Sequence, residues 1–227
     1  MANRKTMSEV STPAQGLATA DNNTFVRYWQ EVSLSDIGLN IQSLEESIIS
    51  KKKWFPYNKG GDQRKWYGNQ TYIVDWEDDG FRIKNFCDAK GKQRSVVRNP
   101  DQYFKPSISW SDICSSDTSY KVYPNGFIFD VCGMSCFNAK NPINLLGVLN
   151  TKFYAKVSKL LNPTMHFQIG DFKKLPYIEV ESNSFEERVS ENITISRLDW
   201  DSRETSWNFK RNELLHYADG SIDADCE

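Results

Sequence analysis

Lys51 to Asn69 reads KKKWFPYNKGGDQRKWYGN, and the fold turns on how these residues are read. The stretch holds six cations, the aromatic pairs Trp54-Phe55 and Trp66-Tyr67, and a further ring in Tyr57. Gly60-Gly61 divides it into halves with one pattern, basic residues running into an aromatic pair. Cations supply charge for phosphate, and rings supply flat surface for packing or stacking. Paired glycines let the backbone take positive φ and approach a ligand closely. On composition two readings weigh equally: a hairpin with a solvated basic rim and a ring-filled core, or a nucleic-acid contact.

Outward from this stretch the charge is uneven. Residues 51–178 carry 20 cations against 11 acids, whereas residues 1–50 carry three against six and residues 179–227 five against 13. A basic body between acidic ends is the footprint of a polyanion binder, or else a lysine-rich solvated surface. With 227 residues, 39% hydrophobic and 13% aromatic, the chain can bury a full core. No apolar run nears the ~20 residues that span a bilayer, and the N-terminus lacks the apolar core of a signal peptide. Five cysteines in no zinc-like register suit a reduced, cytoplasmic protein. Cys132 and Cys136 read as small core residues, and no metal site is expected.

Short aromatic runs separated by turns predict a mainly antiparallel β body. They are Phe25–Trp29, Thr71–Trp76, Phe81–Phe86 after the Asp78-Asp79-Gly80 turn, Ile108–Ser111, Tyr120–Tyr123, Gly126–Val131 and His166–Ile169. Residues 33–50 fit a short helix or a plain connector. One long amphipathic helix is expected from Pro142 to Leu161, with Leu145, Leu149, Phe153, Val157 and Leu160 as its stripe and Lys152, Lys156 and Lys159 on a solvated face. His166, with no partner motif, reads as structural. The expected class is α+β: residues 1–12 a tail, 13–178 the β-rich body, and 179–227 an acidic appendage. That appendage is helical around Phe185–Val189 and ends in the tail DGSIDADCE.

Catalytic signatures are absent: no Gly-rich loop opens a helix, and neither HExxH nor GxSxG occurs. Asn99-Pro100-Asp101-Gln102-Tyr103 is only superficially like the Asn-Pro-Pro-Tyr loop of adenine methyltransferases and reads as a turn.

The succession GLATADNNTFVRYWQEV, KWFPYNKGGDQRKWYGN, YFKPSISWSDI, GFIFDV, LLGVLNTKF, LNPTMHFQIGDFKKLPY and LDWDSRETSWNFKR closely resembles one family. It is that of the C-terminal part of the BREX-system adenine-specific DNA methyltransferases of the PglX type, related to TaqI-like specificity domains. The similarity runs from about Pro13 to Arg211. It implies a target-recognition domain that selects the double-stranded DNA sequence to be modified. It also implies that the catalytic domain, with its S-adenosylmethionine site, lies upstream, so this chain alone has no cofactor, no catalytic residues and no methyl-transfer activity. An excised fragment and a separate specificity subunit both fit.

Given that resemblance, the DNA-binding candidates are Lys53, Lys59, Arg64, Lys65, Lys90, Lys92, Arg94 and Arg98. Lys59 and Arg64, beside the glycines, are the first candidates to reach past the backbone. Trp54, Phe55 and Trp66 suit buried supports of the hairpin better than stacking platforms. The expected partners are duplex DNA and a methyltransferase catalytic domain or subunit. The alternative function is a protein-interaction module that docks, through the acidic C-terminal part, on other defence-system subunits or a phage inhibitor.

Overall fold

The computed structural model describes residues 5–212 and residue 215. In chain order the first half holds α1 (Met7–Val10), β1 (Thr12–Ala14), α2 (Asn22–Phe25), β2 (Val26–Tyr28), α3 (Leu44–Ile49), β3 (Trp54–Asn58), β4 (Tyr72–Asp75) and α4 (Glu77–Lys84). β5 (Ser107–Ser111), β6 (Lys121–Tyr123), β7 (Ile128–Phe129) and β8 (Gly133–Phe137) follow. The chain then turns helical through α5 (Pro142–Leu149), α6 (Lys152–Leu161), α7 (Ile169–Lys174) and α8 (Asn183–Asp201). One four-stranded sheet runs β1-β8-β5-β6 and is antiparallel throughout. The other runs β2-β4-β3-β7, with β7 parallel to β3. The expected α+β class with a mainly antiparallel β body is borne out.

The opening stretch is divided between the two sheets. Its first half is β3, whose antiparallel partner is β4 and not the second half of the stretch. Gly60 and Gly61 take φ of 77° and 111°, as paired glycines allow, but the turn does not fold back. It carries the chain to the other sheet, where the Trp66 amide donates to the Tyr120 carbonyl at 2.9 Å and the Val122 amide to the Trp66 carbonyl at 3.0 Å. Those bonds hold Trp66 at φ 71°, a left-handed conformation that costs a bulky residue ~1–3 kcal/mol. The single hairpin is thus corrected to a bridge between sheets.

Asn58 and Tyr57, at the end of β3, pin the sheets together. The buried Asn58 amide donates to Ser109 Oγ on β5 at 2.7 Å. The Tyr57 hydroxyl donates to Asp130 Oδ2 at 2.5 Å and to the Leu17 carbonyl at 3.2 Å. Burial, with the Asp130 carboxylate next, pushes the Tyr57 phenol well up, so it remains a donor. Two cores result. Phe55, Trp76, Tyr103, Phe104 and Phe129 fill one, through edge-to-face contacts such as Trp76–Tyr103 at 5.2 Å. Trp110, stacked on Phe172 at 4.4 Å, centres the other with Leu145, Leu146 and Leu149.

The long helix of residues 142–161 is corrected to two. Asn150 leaves the helix because its amide replaces a strand partner: Nδ2 donates to the Tyr120 carbonyl at 2.8 Å and Oδ1 accepts from the Tyr120 amide at 3.0 Å. Thr151 then caps α6 through the Tyr154 amide. The restart rotates the faces, so Tyr154 and Ser158 point inward while Phe153 and Leu160 stand 51% and 84% exposed. Of the expected stripe, Leu145 and Leu149 are core, Val157 packs half-buried against it, and Phe153 and Leu160 fall outside. Lys152, Lys156 and Lys159 are exposed as expected.

Residues 81–86 are not a strand. Asp78, Asp79 and Gly80 at positive φ make a left-handed turn, and the Asn85 amide then bonds the Phe81 carbonyl in helical fashion. Gly80 is required there, because a Cβ would fall 2.6 Å from the Trp76 ring. Residues 166–169 do not form the expected strand either: Gln168 and Asp171 close a reciprocal cap that starts α7. His166 lies on the surface, Nδ1 3.3 Å from Asp112.

The segment read as a tail is structured from Thr6: Met7 is fully buried and β1 pairs with β8. Cys136 is a core residue as expected, but Cys132 is exposed at the mouth of the Asp130 turn. The helix expected at Phe185–Val189 extends through α8, whose Val189 and Phe185 press on Gly147 of α5. The stretch DGSIDADCE lies outside the described residues. Among the described residues no helix is long and apolar enough to cross a membrane, and no cluster of His, Cys, Asp and Glu has the makings of a metal site.

Candidate nucleic-acid interface

Cations on β2, at both ends of β3, on α4 and in the loop after it are each seated on a ring or a buried acid. Arg27, on β2, and Lys53, entering β3, lie 5.7 and 5.6 Å from the Trp54 ring. Lys53 also pairs, at 3.7 Å, with Asp75, which is only 1% exposed and shares its Oδ2 with Arg82. Arg82 stacks at 5.6 Å over Phe25, Phe25 meets Phe86 edge-on at 5.1 Å, and Arg94 lies 5.2 Å over Phe86. Lys84 stands over Trp76 at 5.2 Å and bonds Asp79 at 2.5 Å.

Such seating lowers the entropy cost of using a long cationic side chain, because its rotamers are already restricted. Pairs of this kind occur about once per 70–80 residues in ordinary folds. Here Arg27, Lys53, Lys59, Arg82, Lys84 and Arg94 all fall between residues 27 and 94. These six cations therefore share one feature, a ring beneath the charge, within a single stretch of the chain.

Two of them line a groove of about 480 Å³, formed by Asn22, Asn23, Arg27, Tyr28, Lys59 and Tyr72. Tyr28 and Tyr72 stack at 4.9 Å, and the Tyr72 hydroxyl donates to that of Tyr28 at 3.4 Å. That bond, with partial burial, pushes the Tyr72 phenol up to about 12, so its ring stays neutral on a cationic rim. Asp21 caps α2 through the Thr24 amide and so fixes Asn22 and Asn23 at the groove edge.

The eight cations named from sequence separate into groups. Lys53, Lys59 and Arg94 belong to the ring-seated set, although Lys59 also reaches the buried Asp130 at 3.5 Å. Lys90 and Lys92 are exposed on a tight turn whose base is Phe86 and Arg94; Asp88 accepts their amides at 2.8 and 2.9 Å. Lys65, by contrast, donates to the Asn150 carbonyl at 2.8 Å, and Arg98 sits half-buried beside Tyr103. Arg64 faces α8: Nε donates to the Tyr67 carbonyl at 2.8 Å, Nη2 pairs with Asp199, and the guanidinium lies 5.2 Å from the Trp200 ring. Arg27, Arg82 and Lys84 were missed. Their signal was local: Phe-Val-Arg-Tyr-Trp and Phe-Arg-Ile-Lys interleave cations and rings as the opening stretch does.

The Arg64 contact has a pH signature. Its hydrogen bond is the leading cause that holds the Asp199 carboxyl below 3.8, with Arg203 second. A carboxylate whose folded pKa is depressed contributes fully above its unfolded value and loses that contribution as pH falls through the folded one. Protection against hydrogen exchange in residues 196–202, relative to the intrinsic rate at each pH, is therefore expected to fall below 3.8 in the parent. In Arg64→Ala that protection should be low already at neutral pH. Equal protection in both proteins at pH 7 would remove Arg64 as the tether of α8.

No family model matches the chain. Among curated proteins it is similar to the adenine-specific methyltransferase PglX of Lacticaseibacillus casei (strain Zhang). The two are 36% identical over 226 residues, which cover 96% of this chain and 19% of that protein. It is also similar to the adenine-specific methyltransferase BrxX of Escherichia coli O9:H4 (strain HS), 34% identical over 199 residues, 86% of this chain and 15% of that protein. The chain thus spans less than a fifth of the length of the curated relatives it matches. The resemblance carried by the seven motifs is borne out: along nearly its whole length this chain is homologous to one segment of the PglX/BrxX adenine-specific methyltransferases.

Proposed function

We propose that the chain is the DNA target-recognition segment of a BREX-type adenine methyltransferase. It grips duplex phosphates with its ring-seated basic surface and leaves methyl transfer to a catalytic portion outside this sequence. The observation that carries the reading is the run of Arg27, Lys53, Lys59, Arg82, Lys84 and Arg94 over Trp54, Tyr57, Phe25, Trp76 and Phe86. Phosphate contacts of this kind fix register on the duplex, and side chains at a groove then read base edges. Lys90 and Lys92 extend the surface, whereas Arg64, Lys65 and Arg98 support the fold. S-adenosylmethionine binds the catalytic portion and not these residues. The duplex, the catalytic portion and other components of a cytoplasmic phage-defence system are the partners this reading supplies.

The test is fluorescence anisotropy of the whole chain on duplexes of about 20 bp across a salt series. Log affinity should fall linearly with log salt, with a slope of about −0.9 per phosphate engaged. The purified chain should transfer no tritium from labelled S-adenosylmethionine to DNA. A slope near zero, or methyl transfer by the chain alone, would refute the proposal. The alternative of docking through the acidic C-terminal part predicts that flat salt response.

A further inference from the structure

A second cavity, of about 280 Å³, opens between the β3–β4 sheet and α8, away from the seated cations. Gln70 contributes to its lining, with a side chain in a residue only 2% exposed. Its Oε1 accepts from the Tyr67 hydroxyl at 3.2 Å, while its Nε2 has no hydrogen-bond partner among the described residues. Buried amide donors are normally satisfied, so this one, in a residue of the cavity lining, is where a ligand acceptor would complete the network.

The rest of the cavity suits a flat, polar guest. Phe127 and Trp207 supply rings 5.9 Å apart and inclined by 33°. Trp207 is itself held edge-on at 6.4 Å by Trp29, whose indole donates to the Thr205 carbonyl at 2.9 Å. On the α8 side Arg197 lies 4.8 Å over the Tyr67 ring. Asp201, a carboxylate of the lining, accepts from Ser206 at 2.7 Å and from Asn208 at 3.4 Å through Oδ1. Volumes of ~300–1,000 Å³ serve drug-sized ligands, so this one suits a single heterocycle and excludes a dinucleotide.

We propose that this pocket binds one nucleobase, which stacks on Trp207, accepts from Gln70 Nε2 and donates an amino group to Asp201. Base-on-ring stacking and a matched donor–acceptor pair are the recognition elements used for unpaired bases elsewhere. The base has two sources: a free nucleoside, or a base extruded from a duplex. The second source rests on the DNA reading above; the first does not.

One experiment titrates the whole labelled chain with adenosine, cytidine and uridine, with ribose 5-phosphate as a sugar control, and follows the Trp207 indole and Gln70 amide signals by NMR. Saturable shifts are expected with at least one amino-bearing nucleoside. Trp207→Leu and Gln70→Leu should each weaken binding about tenfold or more, the loss of one stack or one hydrogen bond. Gln70 is buried, so Asp201→Asn at the rim is the second variant; it should weaken adenosine and cytidine while sparing uridine. A second arm uses a duplex with 2-aminopurine opposite an abasic site, whose fluorescence should change on binding in the parent and not in Trp207→Leu. Nucleoside binding without that change assigns the pocket to free nucleosides. No response in either arm, or ribose 5-phosphate binding as well as the nucleosides, overturns the proposal. The parent's salt slope on plain duplex reports separately on the DNA reading.

Discussion

Leu149→Asp is expected to unfold the chain, and Phe153→Asp to leave it folded. Leu149 is 1% exposed at the end of α5, among Leu145, Leu146 and Trp110. Truncating such a residue costs ~2–5 kcal/mol through lost transfer and cavity terms, and a carboxylate without a partner adds its own desolvation cost. The sum reaches the ~5–15 kcal/mol by which a domain of this kind is stable. Phe153 stands half-exposed beyond the Asn150–Thr151 break, where a charged side chain is hydrated and its effect stays within ~1 kcal/mol. For a chain of this length 1 kcal/mol moves the melting temperature by about 2–4 °C. Thermal unfolding followed by circular dichroism separates the outcomes. If both variants melt with the parent, α5 is not packed as described; if both unfold, residues 142–161 act as one helix after all.

The second large effect concerns duplex binding. Replacing Arg27, Lys59 and Arg94 together by Ala removes cations spread along the seated surface while keeping the rings beneath them. Each phosphate contact contributes about 0.9 to the salt slope, so the triple variant should lose nearly three units of it. At ~0.1 M salt that slope corresponds to an affinity loss of two to three orders of magnitude, shared by cognate and scrambled duplexes. Asn23→Ala, at the groove edge, should behave differently if it reads a base. It should cost ~1–3 kcal/mol on the cognate site and little elsewhere. The exposed α6 pair Lys152 and Lys156 is the control, and their removal should change neither slope nor affinity. A triple variant that binds within about threefold of the parent would take this surface out of the interface.

Several elements were legible where the signal is local. Turn chemistry and alternating rings placed β2, β4, β5, β6 and β7, and Pro142 marked the start of α5, whereas β8 and the short helices carried no such mark. The errors lie where a distant partner overrode a local pattern. Asn150 breaks a helix whose apolar stripe runs on, because the backbone it bonds belongs to Tyr120. Phe81–Phe86 alternates like a strand but follows a left-handed turn folded against Trp76.

The cations show the same division. Their number and their interleaving with rings were plain in the chain, and these are properties of composition. Lys53, Arg64, Lys65 and Lys121 look alike in a sequence. Yet one rides on Trp54 over Asp75, one holds α8, one caps the Asn150 carbonyl, and one is buried, where desolvation pulls its ammonium down to about 8. The sequence by itself determined the α+β class, the basic middle and the kinship with adenine-specific methyltransferases, because each is written in residue type and order. Which cations face solvent and which rings seat them was decided only by the tertiary structure. A lysine's role is set by the dielectric and partners around its ammonium, and those come from residues tens of positions away.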